Sequence, residues 1–260
     1  ADIASSPFVL NGKTCLIGVF RDITERRRMG RMRDEFISAI SHELRTPLGP
    51  LRIHVEHVLA GKLGPVPEKI RSSLQVIKLE TDRLVELIDA VLDVQRFQSD
   101  RFELNLQPLD IRIVVGQGVE ETKVTVEMKQ QHLHVEVPDK LLPINGDAVR
   151  LGQVLTNLLS NASKFTPENG QITINVRDEA EALKVSVSDT GIGIRKEDLP
   201  MIFQPFATIK KHTWMKGAGL GLSVTKGIIE AHGGKIWAES DGEGKGATFT
   251  FTIPRPKGES

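Results

Sequence analysis

Apolar residues recur every three or four positions in the N-terminal part of the chain and give way to short alternating runs beyond it. Met29, Met32, Phe36, Ile40, Leu44, Leu48, Leu51, Val55 and Val58 trace one stripe of a long amphipathic helix that ends near Gly61. Thr24 or Asp22 can cap its start. Gly64-Pro65-Val66-Pro67 makes a compact turn, after which Ile70, Leu74, Ile77, Thr81, Leu84, Ile88 and Val91 repeat at heptad-like spacing in a second helix. A short loop makes the pair antiparallel. One such hairpin leaves a wide apolar stripe uncovered, so the pattern predicts a homodimer whose helices form a four-helix bundle.

Ahead of the helices, Pro7 to Leu10 and Lys13 to Phe20 are β-prone runs joined at Asn11-Gly12, a hairpin signal. A lone hairpin is marginal in water, so the expectation is that further strands of its sheet lie upstream. Beyond Phe97 the pattern predicts strands at Phe102 to Leu106, Leu133 to Val137, Gln171 to Val176, Leu183 to Ser188, Lys235 to Glu239 and Ala247 to Ile253. Helices are expected from about Ile111 to Gln130, from Ala148 to Phe165 and from near Gly219. Regular βαβ alternation is lacking, which favours an α+β sandwich with one mixed sheet covered by helices. The expected divisions are residues 1–24, 25–98 and 99–260, and no internal repeat or low-complexity tract interrupts them.

Composition narrows the class without choosing a function. At 260 residues, 39% hydrophobic and 26% charged, the chain can bury real cores. Lys plus Arg equal Asp plus Glu at 34 each, so no net field draws the whole molecule to nucleic acid or anionic lipid. The basic run Arg26, Arg27, Arg28, Arg31 and Arg33 is flanked by acids and reads as a coiled-coil surface, so no nucleic-acid partner is expected. No stretch has the roughly 18 to 20 apolar residues that span a bilayer, so no membrane contact is expected of this segment. The single cysteine, Cys15, fits a reducing compartment and makes the cytoplasm the expected location.

The run Ser41-His42-Glu43-Leu44-Arg45-Thr46-Pro47 carries the first candidate chemistry. His42 lies about 200° around the helix from both Ile40 and Leu44, which faces it to solvent. A neutral imidazole there is a nucleophile if one nitrogen is free and the other is held as N–H. Glu43 can accept that N–H and stabilise the charge that develops during attack. Thr46 follows one turn later, where its hydroxyl could orient a water. Pro47 offers no N–H to the carbonyl of Glu43, so the helix is expected to loosen or bend there, at a cost on the order of 3 kcal/mol. His54 and His57 have no comparable context.

The second set of candidates suggests a nucleotide. Asn157 and Asn161 are one turn apart on the predicted helix with Lys164 beyond, and a carboxamide oxygen suits Mg²⁺ that keeps water and phosphate ligands. Lys164 would meet phosphate charge. Asp189 follows a strand directly, and Gly191 and Gly193 allow a turn so tight that a base can lie against backbone while the carboxylate accepts from its exocyclic amine. Gly217, Gly219, Leu220 and Gly221 precede an apolar helical run, placing free N–H groups at a helix N-terminus where phosphate is favoured. Lys210, Lys211, His212 and Lys216 lie in a polar stretch before it that reads either as a cationic lid or as a solvated loop.

Together these motifs resemble the sensor histidine kinases of two-component signalling, from Ile23 to Pro254. Ser41 to Pro47 is similar to that family's phosphoacceptor box, Asn157 to Pro167 to its asparagine box, Asp189 to Ile194 to its first glycine box, Phe203 to Phe206 to its phenylalanine box and Gly217 to Ser223 to its second glycine box. The resemblance implies a dimeric phosphotransfer domain and a Bergerat-type ATP-binding domain. It further implies ATP with Mg²⁺, transfer of the γ-phosphoryl group to His42 and then to an aspartate of a response regulator receiver domain. By the same resemblance Asn161 is the principal magnesium ligand, Asp189 reads adenine, and Thr46 serves in dephosphorylating the regulator. Phe165 stands where the family often has tyrosine, so it would stack without donating a hydrogen bond. The N-terminal hairpin with Asp22-Ile23-Thr24 resembles the last strands and exit motif of a PAS sensor domain. Two other readings follow from the same residues: a scaffold that binds ATP without transferring phosphate, and an ATP-hydrolysing clamp of the topoisomerase kind. The latter needs a carboxylate general base where Asn157 stands, and an amide is a poor one.

Overall fold

The heptad spacing becomes two long helices, α1 at Thr24–Leu59 and α2 at Glu68–Gln98, in a computed structural model that describes residues 2–10, 13–21, 24–98, 102–207 and 219–255. Backbone contacts divide the chain into two units, Ala1–Gln95 and Arg96–Ser260. In the first, β1 (Asp2–Leu10) pairs antiparallel with β2 (Lys13–Arg21), and Leu10 lies opposite Lys13. Asn11 and Gly12 themselves lie outside the described residues. Helix α1 continues through both Pro47 and Pro50. The carbonyls that lose a donor there belong to Glu43 and Thr46, both exposed residues where water can replace it.

A Schellman turn ends α1. Lys62 N–H donates to the His57 carbonyl at 3.0 Å and Gly61 N–H to that of Val58 at 3.0 Å, with Gly61 at φ 73°. The side chain of Arg71 reaches back across the loop to the Leu59 carbonyl at 3.0 Å. Farther along, Lys78 pairs with Asp82 at 2.7 Å and with Glu56 at 3.5 Å, and Arg45 pairs with Asp89 across the two helices. Among the described residues the hairpin buries Ser41, Val55, Thr81, Asp93 and Val94. The expected stripe does not close within one chain: Ile40, Leu44, Leu51, Ile70, Ile77 and Leu84 are 41 to 51% exposed. Two helices can shield only the line where they touch.

The second unit encloses its core. Helices α3 (Ile111–Met128), α4 (Ala148–Phe165) and α5 (Gly221–Ala231) accompany a five-stranded sheet. Its strands are β4 (His132–Glu136), β6 (Gln171–Asp178), β7 (Ala182–Asp189), β9 (Ala247–Pro254) and β8 (Lys235–Glu239), in that spatial order. The β4–β6 pair is parallel and the others are antiparallel. Ile172, Ile174, Val176, Leu183, Val185 and Val187 alternate inward from β6 and β7, and Leu151, Val154, Leu155, Leu158 and Leu159 face them from α4. Each such side chain contributes roughly 1.5–3 kcal/mol by leaving water.

The strand expected at Phe102 to Leu106 is absent. The chain instead pairs at β3 (Gln107–Leu109) with β5 (Ile144–Gly146), a separate two-stranded ladder. Elements of 3 residues have no period to detect. Among the described residues no helix is long and apolar enough to cross a membrane.

Candidate functional site

Helix α4 is held at both ends before it presents any chemistry. At its start the Asp147 carboxylate accepts the N–H groups of Val149 and Arg150, each at 3.1 Å, while its other oxygen accepts from Asn105 at 3.0 Å. At its end the Lys129 ammonium donates to the Ser163 carbonyl at 2.6 Å, where the helix dipole favours a cation. The buried Gln131 amide donates to the carbonyls of Ser163 at 2.9 Å and Thr166 at 2.8 Å, and accepts the Ser163 hydroxyl at 2.8 Å. The helix is thereby a fixed rail.

Asn157, Asn161 and Lys164 follow one another along it at i, i+4 and i+7. The Asn157 amide donates to the Thr225 hydroxyl at 2.7 Å, and a methyl group placed on Gly221 would overlap its oxygen. Asn157 therefore joins α4 to the first turn of α5. Asn161 is half-exposed, and its carboxamide makes no hydrogen bond with other described side chains. Lys164 holds its ammonium 5.2 Å from the centre of the half-exposed Phe165 ring. Among the described residues no group of 3 or more His, Cys, Asp or Glu converges on a metal position. A free neutral carboxamide fits Mg²⁺ that keeps most of its water and takes phosphate oxygens.

At the far end of α4 the Phe165 carbonyl accepts Ile192 N–H at 3.2 Å, bringing the turn 189–194 against the helix. Asp189 is the last residue of β7. Burial pushes its carboxyl above the ordinary carboxylate range, while N–H groups of Gly191, at 2.8 Å, and Ala247 pull it back. A side chain on Gly191 would strike the Phe165 carbonyl, and Gly193 adopts φ 69°.

Helix α5 begins differently from α4. Leu220 occupies its N-cap position, buried, with no side-chain cap, and the Ser223 hydroxyl donates to the Leu220 carbonyl at 2.8 Å. Among the described residues, no side chain caps the first N–H groups of this 11-residue helix. Gly219, at φ 67°, passes so close to the backbone of Phe206 and Ala207 that only glycine fits. Lys210, Lys211, His212, Lys216 and Gly217 lie outside the described residues.

In the first unit His42 and Glu43 are both exposed on α1, as the helical spacing required. Thr46 is exposed too, and its hydroxyl donates to the His42 carbonyl at 2.9 Å. Several residues that frame the site carry no motif: Thr225, Lys129, Gln131, Asp147 and His232 act through hydrogen bonds to residues distant in sequence. Ser240 and the loop after it are different. Gly242, Gly244 and Gly246 repeat the spacing of Gly217, Gly219 and Gly221, a signal legible in the sequence.

Comparison with known proteins agrees with this geometry. Residues 32–100 match the model of the His Kinase A (phospho-acceptor) domain, and residues 146–257 that of the histidine kinase-, DNA gyrase B- and HSP90-like ATPases. The chain is 38% identical over 245 residues to the sensor histidine kinase WalK of Bacillus subtilis, covering 92% of this chain and 39% of that protein. It is 32% identical over 254 residues to the histidine protein kinase DivJ of Caulobacter vibrioides, covering 92% of this chain and 42% of that one. The chain thus spans about two fifths of the length of these curated relatives. Among solved structures, full-length ShkA in complex with AMPPNP superposes with a TM-score of 0.71 at 30% identity, covering 85% of this chain and 45% of that one. The nucleotide-free catalytic domain of the histidine kinase ThkA gives 0.53 at 33% identity, covering 58% of this chain and 99% of that domain. A helical hairpin bearing a solvent-facing histidine, followed by an α/β ATPase unit and matched in both parts, places the chain among the sensor histidine kinases of two-component signal transduction.

Proposed function

We propose that residues 25–98 form a dimerising phosphotransfer domain, that residues 99–260 form the catalytic ATP-binding domain, and that together they phosphorylate His42. The observation that carries the reading is an exposed imidazole on α1 in a chain whose other unit, among the described residues, leaves the start of α5 uncapped beside Asn157, one turn before Asn161 on α4. An uncapped helix start receives phosphate oxygens through its N–H groups. Asp189 accepts from the exocyclic amine of adenine in the tight turn that Gly191 and Gly193 permit, and Phe165 stacks nearby. Gly217, Gly219, Leu220 and Gly221 carry the phosphates to α5, and Lys164 and Lys210 supply positive charge. The Asn161 oxygen holds Mg²⁺, which neutralises phosphate charge when bound.

One imidazole nitrogen of His42 attacks the γ-phosphorus. A nitrogen–phosphorus bond forms as the bond to the β-phosphate oxygen breaks, and ADP leaves. Glu43 accepts the proton-bearing side of the ring and offsets its developing charge. The phosphoryl group then passes to an aspartate of a response regulator receiver domain, and Thr46 serves in removing it from that regulator. The half-exposed stripe of Ile40, Leu44, Leu51, Ile77 and Leu84 is covered by a second copy of the chain in a four-helix bundle.

Incubation with γ-labelled ATP should place acid-labile label on the wild type and none on His42→Gln, with nucleotide affinity unchanged. A chain that binds ATP yet takes up no label would be a scaffold instead. Sedimentation at micromolar concentration should show a dimer, and a monomer there would remove the bundle from the reading.

A further inference from the structure

The turn that presents Asp189 is too glycine-rich to hold its own shape. The α4 side supplies one bond to it, from Ile192 N–H to the Phe165 carbonyl. From β6, Gln171 accepts Thr190 N–H at 3.0 Å and its own N–H donates to the Thr190 hydroxyl at 2.9 Å. The residues beyond Thr190 are held from the loop joining β8 to β9. Gly244 N–H donates to the Ile192 carbonyl at 2.6 Å and Gly246 N–H to the Gly191 carbonyl at 3.1 Å. Ala247 N–H, at the start of β9, faces the Asp189 carboxylate and favours its charged form. Glu243 lies 3.9 Å from the Arg195 guanidinium just past the turn.

One hydroxyl ties this loop together. Ser240 Oγ donates its proton to the Gly246 carbonyl at 2.6 Å, and its lone pairs accept Gly242 N–H at 3.3 Å and Ile194 N–H at 3.0 Å. One donor and two acceptors are all that a serine hydroxyl has, so the group is saturated by three backbone partners. Those partners are the two ends of the loop and the far end of the turn. Glycine is required where they interlock: a side chain on Gly246 would overlap the Asp189 carbonyl, and one on Gly193 the Gly242 carbonyl.

We infer that Ser240 is a positioning residue for nucleotide recognition, locking the loop 240–246 against the turn 189–194 so that the Asp189 carboxylate stands where a purine amine can reach it. The inference rests on the reading of Asp189 as the adenine contact. Ser240 itself touches no ligand. Its loss should therefore affect selectivity for the amine more than affinity for phosphate.

The test titrates ADP, and the diphosphate of purine riboside, which lacks the exocyclic amine, into the 260-residue chain and its variants. The wild type should prefer ADP. Ser240→Ala should bind ADP about tenfold more weakly while binding the purine riboside diphosphate almost unchanged, and Ser240→Thr, which keeps the hydroxyl, should restore the preference. Asp189→Asn is the control that separates the two ideas. If Asp189→Asn loses the preference and Ser240→Ala keeps the wild-type ratio, the role of Ser240 is overturned alone; if Asp189→Asn also keeps the ratio, both fall. Should Ser240→Ala fail to fold, amide exchange in the unmutated, nucleotide-free chain decides. Slow exchange at Ile194, Gly244 and Gly246 supports the lock, and exchange at unprotected rates overturns it.

Discussion

Helices α4 and α5 lie side by side in the same unit and begin in opposite ways. The start of α4 is closed by Asp147, whose carboxylate takes two helix N–H groups and the N–H of Asn105, and whose own N–H donates to the His232 ring at 3.0 Å. The start of α5 has a buried leucine where the capping oxygen would be. A carboxylate at a helix start stabilises it by about 0.5–2 kcal/mol, yet the same charge would repel phosphate. The difference separates two uses of one backbone feature. Where the protein needs a fixed element it satisfies the helix N–H groups internally, and at α5 the proposed phosphate contact would take their place.

The strongest way to break this contrast is to dislodge α5 from α4. In Gly221→Val the new side chain meets the Asn157 carboxamide, which cannot retreat without giving up Thr225. Overpacking of this kind costs roughly 1–3 kcal/mol, and here it also tilts the turn proposed to face phosphate. ADP affinity by calorimetry should fall by up to about a hundredfold, and affinity within threefold of wild type would show that the α5 start is not the anion site. Asp147→Ala is the complementary change. It should lower the stability of the second unit by about 1–2 kcal/mol in a denaturant titration and alter ADP affinity only a few-fold. A hundredfold loss of affinity with unchanged stability would reverse the assignment of structural and ligand-facing helix starts.

How much of this was legible in the sequence depended on period and on range. Helix α4 was read at both boundaries, because Leu151, Leu155, Leu158 and Leu159 repeat at helical spacing. The strand at Lys235–Glu239 was likewise read at its observed limits. The ladder of β3 with β5 was missed, since its strands are shorter than any alternation. So were Gln131 and Lys129, whose partners are carbonyls more than thirty residues away that no side-chain pattern announces. The exposed face of His42 followed from helix geometry alone. The hydrogen bond from Thr46 back to the His42 carbonyl did not, because a threonine on a helix has two competing uses for its hydroxyl.

Ionic strength should sharpen the contrast by a smaller amount. Charge attraction at an open helix start is screened over about 10 Å at 0.1 M salt and about 3 Å at 1 M. Raising salt across that range should weaken ADP binding several-fold while the stability difference between wild type and Asp147→Ala stays nearly constant. Equal salt sensitivity of the two would mean that both helix starts are held by the same kind of interaction.

The smallest effect is the most specific to α4. The Nε2 of the buried His232 accepts Asp147 N–H, so its Nδ1 carries the proton and donates to the Ile228 carbonyl at 2.8 Å. Burial holds the ring below its ordinary value of 6.5, although the Ile228 carbonyl and the Asp147 carboxylate oppose that shift. With the folded pKa depressed, the unfolded chain binds the proton more readily. The neutral ring's contribution is therefore present above pH 6.5 and is lost as pH falls through the lower folded value. A second proton would sit on Nε2, facing the Asp147 N–H, and two donors cannot share that bond. His232→Gln keeps one acceptor and one donor without a titration in this range, so its melting temperature should decline less between about pH 7.5 and pH 5 than that of the wild type. Every other residue is the same in both proteins, so the difference between the two slopes belongs to position 232. Parallel slopes would show that the α4 cap does not depend on the protonation of this ring, and that its closure rests on Asp147 alone.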